Sequence, residues 1–294
     1  MAIATTTRTV RSGDVEIFLR QFGSGGKTPL VIVHGLSYFS YDWIGPASRL
    51  AQDREVVAID MRGFGNSSWS LDRDYKLETL SADLIQVLDA LGWERGVLMG
   101  HSFGGRVCLA TAGWRPDRVA GLILVDFAPD LAPPGRRHVA ERIGGQPDVF
   151  ASVDEALAYH GHNAVAADAP VRKRYEAFLR RTDAGFVLRR DLALRDNFKR
   201  ALESGQSAPV PAFLWPMLAQ LSIPALVIRA TQSDMFAPET LVKVRDANPR
   251  LTTIELAGSH DLAGDNPDGL AAAVQQFLAR ESVDTSPPSA HQTR

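Results

Sequence analysis

Short apolar runs alternate with helical patterns along most of the chain. "PLVIVHG" (Pro29–Gly35), "REVVAID" (Arg54–Asp60), Val97–Gly100 and "VAGLILVDF" (Val119–Phe127) are runs of strand length. Continuous runs of this kind predict strands covered on both faces. "PALVIRA" (Pro224–Ala230) and "LTTIELAG" (Leu251–Gly258) extend the series. Near the start, "VEIFLRQFG" (Val15–Gly23) predicts an earlier strand, in a hairpin with the residues before it. Between strands, Leu80, Leu84, Val87, Leu88 and Leu91 recur at helical period, and Gly92 ends that helix. Further helices are predicted from Phe103, from about Pro238 and over Asn266–Arg280.

Strands alternating with helices predict an α/β fold: a mostly parallel, eight-stranded sheet with helices on both faces. One segment breaks the alternation. From about Pro129 to Trp215 there are only helical patterns, such as "VDEALAYHGHN" and "VRKRYEAFLRR". This segment is expected to be a helical cap inserted after the sixth strand. The predicted organisation is a core over 1–128 and 216–281, a cap over 129–215, and a polar, disordered tail over 282–294.

The chemistry centres on "GHSFG", Gly100–Gly104, at the junction of a predicted strand and helix. A strand that turns sharply into a helix can hold Ser102 strained at the apex. Side chains two before and two after would collide, which suits Gly100 and Gly104. A serine nucleophile needs a base, a carboxylate and N–H donors for the developing oxyanion. Of seven histidines, His260 follows the last strand, at the C-terminal edge of the sheet where Ser102 also lies. It is the expected base. Phe103, just after the serine, and Leu36, after "VIVHG", are the expected oxyanion donors. Ser37, Tyr38 and Phe39 are candidate pocket residues. His34 reads as a structural residue of its loop. His160 and His162 form an H-x-H pair that reads as solvent-facing on a helix rather than metal-binding.

These motifs together resemble the α/β-hydrolase superfamily, in its capped, esterase-like branch. "HGLSYFSYDW" resembles the oxyanion loop, "DMRGFGNS" the glycine turn after the next strand, "GHSFGG" the elbow and "GSHD" the histidine loop. The resemblance covers roughly residues 10–128 and 220–280. It leaves two candidate acids, Asp126 and Asp234. Relatives with the acid on the later strand usually place it three residues after a strand-ending glycine. Ala230 holds that position here, and three residues on is Ser233. Relatives using the earlier strand place the acid 24 residues after the nucleophile, the separation of Asp126 from Ser102. Asp126 is therefore favoured, with Asp234 as the alternative. Haloalkane dehalogenases and epoxide hydrolases of this fold use an aspartate at the elbow, where this chain has serine.

The resemblance implies a serine hydrolase that cleaves a carboxylic ester, or a lactone, thioester or amide, of a small, partly apolar molecule. Other readings are hydrolytic C–C cleavage, a cofactor-free oxygenase and a ligand-binding receptor on the same fold. No cofactor and no metal are expected. With 32 basic and 34 acidic residues the net charge is −2, which points to neither nucleic acid nor an anionic membrane as partner. No signal-peptide or membrane-length apolar run is visible, so a cytoplasmic protein, monomeric or homodimeric, is expected. Residues 171–200 hold ten Arg/Lys against four Asp/Glu, read as a solvated helical face. The lone Cys108 reads as a small buried hydrophobe.

Overall fold

The computed structural model describes residues 5–164, 167, 169–204, 210–280 and 283. In chain order, the first half contains β1 (Thr5–Ser12), β2 (Val15–Val33), α1 (Ile44–Leu50), β3 (Arg54–Asp60), α2 (Leu77–Ala90), β4 (Gly96–His101), α3 (Phe103–Trp114) and β5 (Val119–Val125). Next come α4 (Pro133–Gly144), α5 (Val153–Tyr159), α6 (Ala169–Phe178), a hairpin of β6 (Leu179–Thr182) and β7 (Gly185–Leu188), and α7 (Leu192–Ser204). The chain closes with α8 (Leu214–Gln220), β8 (Ala225–Ala230), α9 (Pro238–Ala247), β9 (Thr252–Leu256), α10 (Leu262–Asp265) and α11 (Pro267–Arg280).

The main sheet has seven strands, in the order β1-β2-β4-β5-β8-β9 with β3 paired to β2. The sequence predicts eight because it breaks the region Val15–Gly35 into two apolar runs. The chain instead passes from one to the other as a single long strand. Its two arms both pair with β3: Phe18 lies opposite Asp60 in the first, and Val33 opposite Ile59 in the second. One strand therefore occupies two places. From β4 onward the pairings are parallel.

Alternation along each central strand feeds two cores. Val31, Val33, Leu98, Leu122 and Leu124 face a layer that includes Leu84 and Leu88 of α2 and Val107 and Cys108 of α3. Leu30, Ile32, Val97, Met99, Ile123 and Val125 face the opposite layer, with Leu270, Val274 and Phe277 of α11. Cys108 is wholly buried, and burial pushes its thiol pKa up.

The segment between β5 and β8 carries its own small core, in which Phe150, Tyr175 and Phe178 pack with Phe39. It follows the fifth strand rather than the sixth, because β2 is one strand. It also holds the β6–β7 hairpin, which the sequence reading lacks. Its four-residue strands carry Arg180 and Arg181 outward and give no long apolar run. Helix α8 begins at Leu214, inside the predicted cap, yet Leu214 and Leu218 belong to the main core. Val283, placed by the sequence in the tail, packs into the core, and Thr28 Oγ1 donates to its carbonyl at 2.9 Å. The rest of the predicted tail lies outside the described residues.

Candidate active site

Ser102 sits between β4 and α3 with φ 53° and ψ −118°. Among the described residues only Arg73, Ser102 and Asp126 combine a side chain with positive φ. Such conformations cost roughly 1–3 kcal/mol and persist where surrounding structure enforces them. Here the Ser102 N–H donates to Val125 O at 3.1 Å, and the Asp126 N–H to Ile228 O at 2.7 Å. The elbow closes only because its flanks are bare: a Cβ on Gly100 would overlap the Gly104 carbonyl, and one on Gly104 would overlap that of Val33. Two strained residues thus end adjacent parallel strands, both at the C-terminal edge.

His260 bridges them. Ser102 Oγ lies 2.9 Å from His260 Nε2, and Asp126 Oδ2 lies 2.6 Å from His260 Nδ1. The Asp126 side chain is fully buried and that of His260 is 14% exposed. Two further donors converge on the carboxylate: Ala230 N–H on Oδ1 at 2.8 Å and Ser233 Oγ–H on Oδ2 at 2.6 Å. Every partner of the Asp126 carboxylate is a hydrogen-bond donor. Asp234 is turned away. Its carboxylate accepts from His138 Nδ1 at 3.0 Å, between two largely exposed side chains. The structure thus brings Ser102, His260 and Asp126 together and leaves Asp234 outside.

The loop carrying Leu36 presses on the elbow. A Cβ built on Gly35 would lie 3.1 Å from Ser102 Cβ. Leu36 and Phe103 both line the cavity that reaches Ser102 and His260. Two arginines of the inserted segment grip this loop from behind. Arg190 donates from Nη1 to Leu36 O at 3.1 Å, and Arg174 from Nη2 to Ser37 O at 3.0 Å. Arg174 is also paired with Asp42, Nε to Oδ1 at 2.5 Å. Arg190 is buried, and burial, together with the nearby charge of Arg142, lowers its pKa to about 10. Both arginines lie in the basic stretch that the sequence reading assigns to a solvated face.

His101 and His34 shape the site without facing the cavity. His101 Nε2–H donates to the His260 carbonyl at 2.8 Å, and the two rings lie 4.7 Å apart. Burial holds the His101 pKa well below the usual range, so the ring is neutral. His34 donates from Nδ1 to Gly35 O at 2.7 Å and accepts the Met61 N–H on Nε2 at 3.0 Å. It is fully buried, and burial lowers its pKa to about 4. The unfolded chain binds a proton near pH 6.5 that the folded chain refuses until about pH 4. This contribution is complete above about pH 6.5 and is lost as pH falls toward 4. Linkage predicts that His34 costs about 2 kcal/mol of stability between pH 7 and pH 5. Denaturant titration should show a smaller loss over that interval in His34→Gln, and equal losses in the two chains would contradict the assignment.

The cavity above Ser102 has a volume of about 250 Å³. Its walls are mostly apolar and come from the loop after β2, the elbow, α4 and α7. Ser37 and Tyr38 line it. Phe39 does not: it is buried against Phe178, with ring centroids 4.9 Å apart, and so belongs to the core of the inserted segment. A second space of about 580 Å³ meets the first at His260 and Arg142. His160 and His162 lie along it, in the turn after α5 rather than on a helix face. Both rings pack on Tyr175. Burial, with the charges of Arg142, Arg174 and Arg190, lowers the His160 pKa to about 3. Among the described residues no group of three His, Cys, Asp or Glu side chains is arranged to hold a metal. Within the same residues no helix is long and apolar enough to cross a membrane.

A family model described as the alpha/beta hydrolase fold matches residues 28–267. The chain belongs to this family. Epoxide hydrolase 4 from Mus musculus is 35% identical over 106 residues, which cover 36% of this chain and 30% of that protein. The match therefore spans under a third of that relative's length. The 3-hydroxybutyrate-oligomer hydrolase of Cupriavidus necator is 28% identical over 265 residues, 84% of this chain and 87% of its own. Among solved structures, E-2-(acetamidomethylene)succinate hydrolase superposes with a TM-score of 0.79 at 22% identity, covering 94% of this chain and all of its own. In this α/β hydrolase, Ser233 stands at the position where the resemblance expects an acid on the later strand, and its hydroxyl donates to Asp126 on the earlier one. Sequence reasoning missed that link, the His101 bridge and the arginine grip. The residue types were visible, but none of their directions is set by a local pattern.

Proposed function

We propose that this α/β hydrolase is a serine hydrolase that cleaves a carboxylic ester, or a related acyl bond, of a small and partly apolar molecule. The observation that carries this reading is the chain Ser102 Oγ, His260, Asp126, with contacts of 2.9 and 2.6 Å. Ser102 gives its proton to His260 Nε2 as Oγ attacks the acyl carbon. Asp126 accepts from Nδ1–H, fixing the reactive tautomer and stabilising the imidazolium. Backbone N–H groups of Leu36 and Phe103 stabilise the oxyanion. Collapse expels the leaving group, which takes the proton from His260, and an acyl group stays on Ser102. Water, giving a proton to His260, then attacks the acyl carbon, and the acid leaves as His260 returns that proton to Ser102 Oγ.

In this reading the segment between β5 and β8 acts as a cap whose inner face selects the substrate. A serine at the elbow supports acyl chemistry over the aspartate-dependent opening of an epoxide. One relative aligned over most of both chains is named a hydrolase of 3-hydroxybutyrate oligomers, which fits an acyl substrate. The test is a panel of chromogenic esters of varied chain length beside a fluorophosphonate probe. Wild type should turn over short esters and be labelled at Ser102. An unlabelled, inactive wild type would overturn the reading.

Arg190 enters the same mechanism as a positioning residue. Its hydrogen bond to Leu36 O fixes the peptide unit beside the Leu36 N–H donor. Arg190→Met fills the volume but frees that carbonyl. It should lower kcat by roughly ten- to a hundredfold with a smaller change in KM. A change confined to KM would argue against the role.

A further inference from the structure

The cavity above Ser102 has an unbalanced charge. Three arginines line it, Arg106, Arg136 and Arg142, and no Asp or Glu does. Arg106 lies one turn into α3, four residues after Ser102, and its guanidinium is 5.9 Å from the Phe103 ring centroid. Arg136 comes from α4, on the facing segment. In all three residues Nε is buried without a hydrogen-bond partner among the described residues. Among the described residues the Arg142 guanidinium donates only to Ser37 Oγ, at 3.4 Å. Burial, with the neighbouring Arg136 charge, lowers the Arg106 pKa.

Like charges held together in a mostly apolar cavity are costly unless an anion joins them. Elsewhere the fold supplies one. Arg62 is buried in a two-pronged pair with Asp83, at 2.6 and 2.7 Å. Arg106 and Arg136 have no such carboxylate among the described residues. The cavity's other walls, from Phe127, Val139, Ile143 and Leu194, suit a short hydrocarbon body. Guanidinium forks match the planar carboxylate in particular.

From this arrangement we infer that the substrate carries a free carboxylate, seated between Arg106 and Arg136, at the end of a short apolar chain whose ester or related acyl bond lies at Ser102. The inference rests on the serine-hydrolase reading for its reaction, but not for its binding site. Arg142 lines both spaces.

Two matched esters test it, monomethyl adipate and methyl hexanoate, which differ only in the terminal carboxylate. Methanol release by wild type should show a kcat/KM at least tenfold higher for monomethyl adipate. In Arg106→Met/Arg136→Met that ratio should fall by about 10- to 100-fold, mainly through KM for the acidic ester. Binding is measured separately by calorimetry, with adipate as the probe and Ser102→Ala as the protein. Adipate should bind Ser102→Ala, and should bind at least tenfold more weakly when both arginines are also replaced. Equal use of the two esters by wild type, or adipate binding that ignores the arginines, would overturn the inference. If neither ester is cleaved and fluorophosphonate leaves Ser102 unlabelled, the hydrolase reading fails. Arginine-dependent adipate binding would then still uphold the carboxylate site. Wild-type preference is read without any variant, so a misfolded double variant cannot conceal the answer.

Discussion

Ser102→Ala is expected to lower ester turnover by roughly 10⁵- to 10⁶-fold, and His260→Ala by a similar factor. The reason is that the two act as one unit. Without Oγ there is no acyl-enzyme, and without Nε2 the hydroxyl has nowhere to send its proton. The double variant should be little worse than either single one, because the unit is already broken. Residual activity would come from the oxyanion donors and from binding. Folding should survive both changes. Ser102→Ala removes a side-chain contact at the mouth of the cavity, while the backbone bond from Ser102 N–H to Val125 O remains. Circular dichroism and thermal unfolding check this, and steady-state kinetics with a short chromogenic ester checks the loss. If Ser102→Ala keeps most of the activity while His260→Ala abolishes it, the chemistry is not acyl transfer through Ser102. A His260–Asp126 mechanism would then take its place.

The elbow was legible because its constraint is local. A strand, a strained serine and a helix are five residues apart, and the glycines they require are written at fixed positions. The sheet was legible for a related reason. Strands with cores on both faces leave no polar positions, so Val31–Val33 and Leu122–Val125 declare themselves. The β6–β7 hairpin did not, since Arg180 and Arg181 face outward and its apolar positions serve a small, separate core. Side-chain direction across tertiary space was the real limit. Nothing in "SYFS" tells that Tyr38 faces the cavity while Phe39 turns into a stack with Tyr41 and Phe178. A count of ten basic residues over 171–200 likewise does not distinguish Arg190, buried against the Leu36 carbonyl, from Arg180 in the open. The arginines lining the cavity, Arg106, Arg136 and Arg142, lie outside that stretch altogether.

Asp126→Asn should lower kcat by roughly 10⁴-fold, while Asp234→Asn should change it by less than about threefold. The first estimate follows from proton geography. Asp126 Oδ1 accepts the Ala230 N–H, so the amide oxygen of the substituted side chain would keep that bond and turn its NH₂ toward His260. Two donors would then face each other where Oδ2 and Nδ1–H now meet at 2.6 Å. The imidazole relieves the conflict by moving its proton to Nε2. In that tautomer Nε2 cannot accept the Ser102 proton, although every heavy atom has kept its place. The Ser233 hydroxyl already accepts the Met235 and Phe236 N–H groups, at 3.1 and 3.0 Å, so it too meets the new NH₂ as a donor, and some stability is lost along with the activity. Asp234 offers no comparable leverage. Its carboxylate is 41% exposed, and its partner His138 is 61% exposed, so solvent replaces whatever the pair contributes. Both variants are compared by kcat on one ester, with thermal unfolding as the control for folding. A larger loss from Asp234→Asn than from Asp126→Asn would move the acid to the later strand and remove Asp126 from the mechanism.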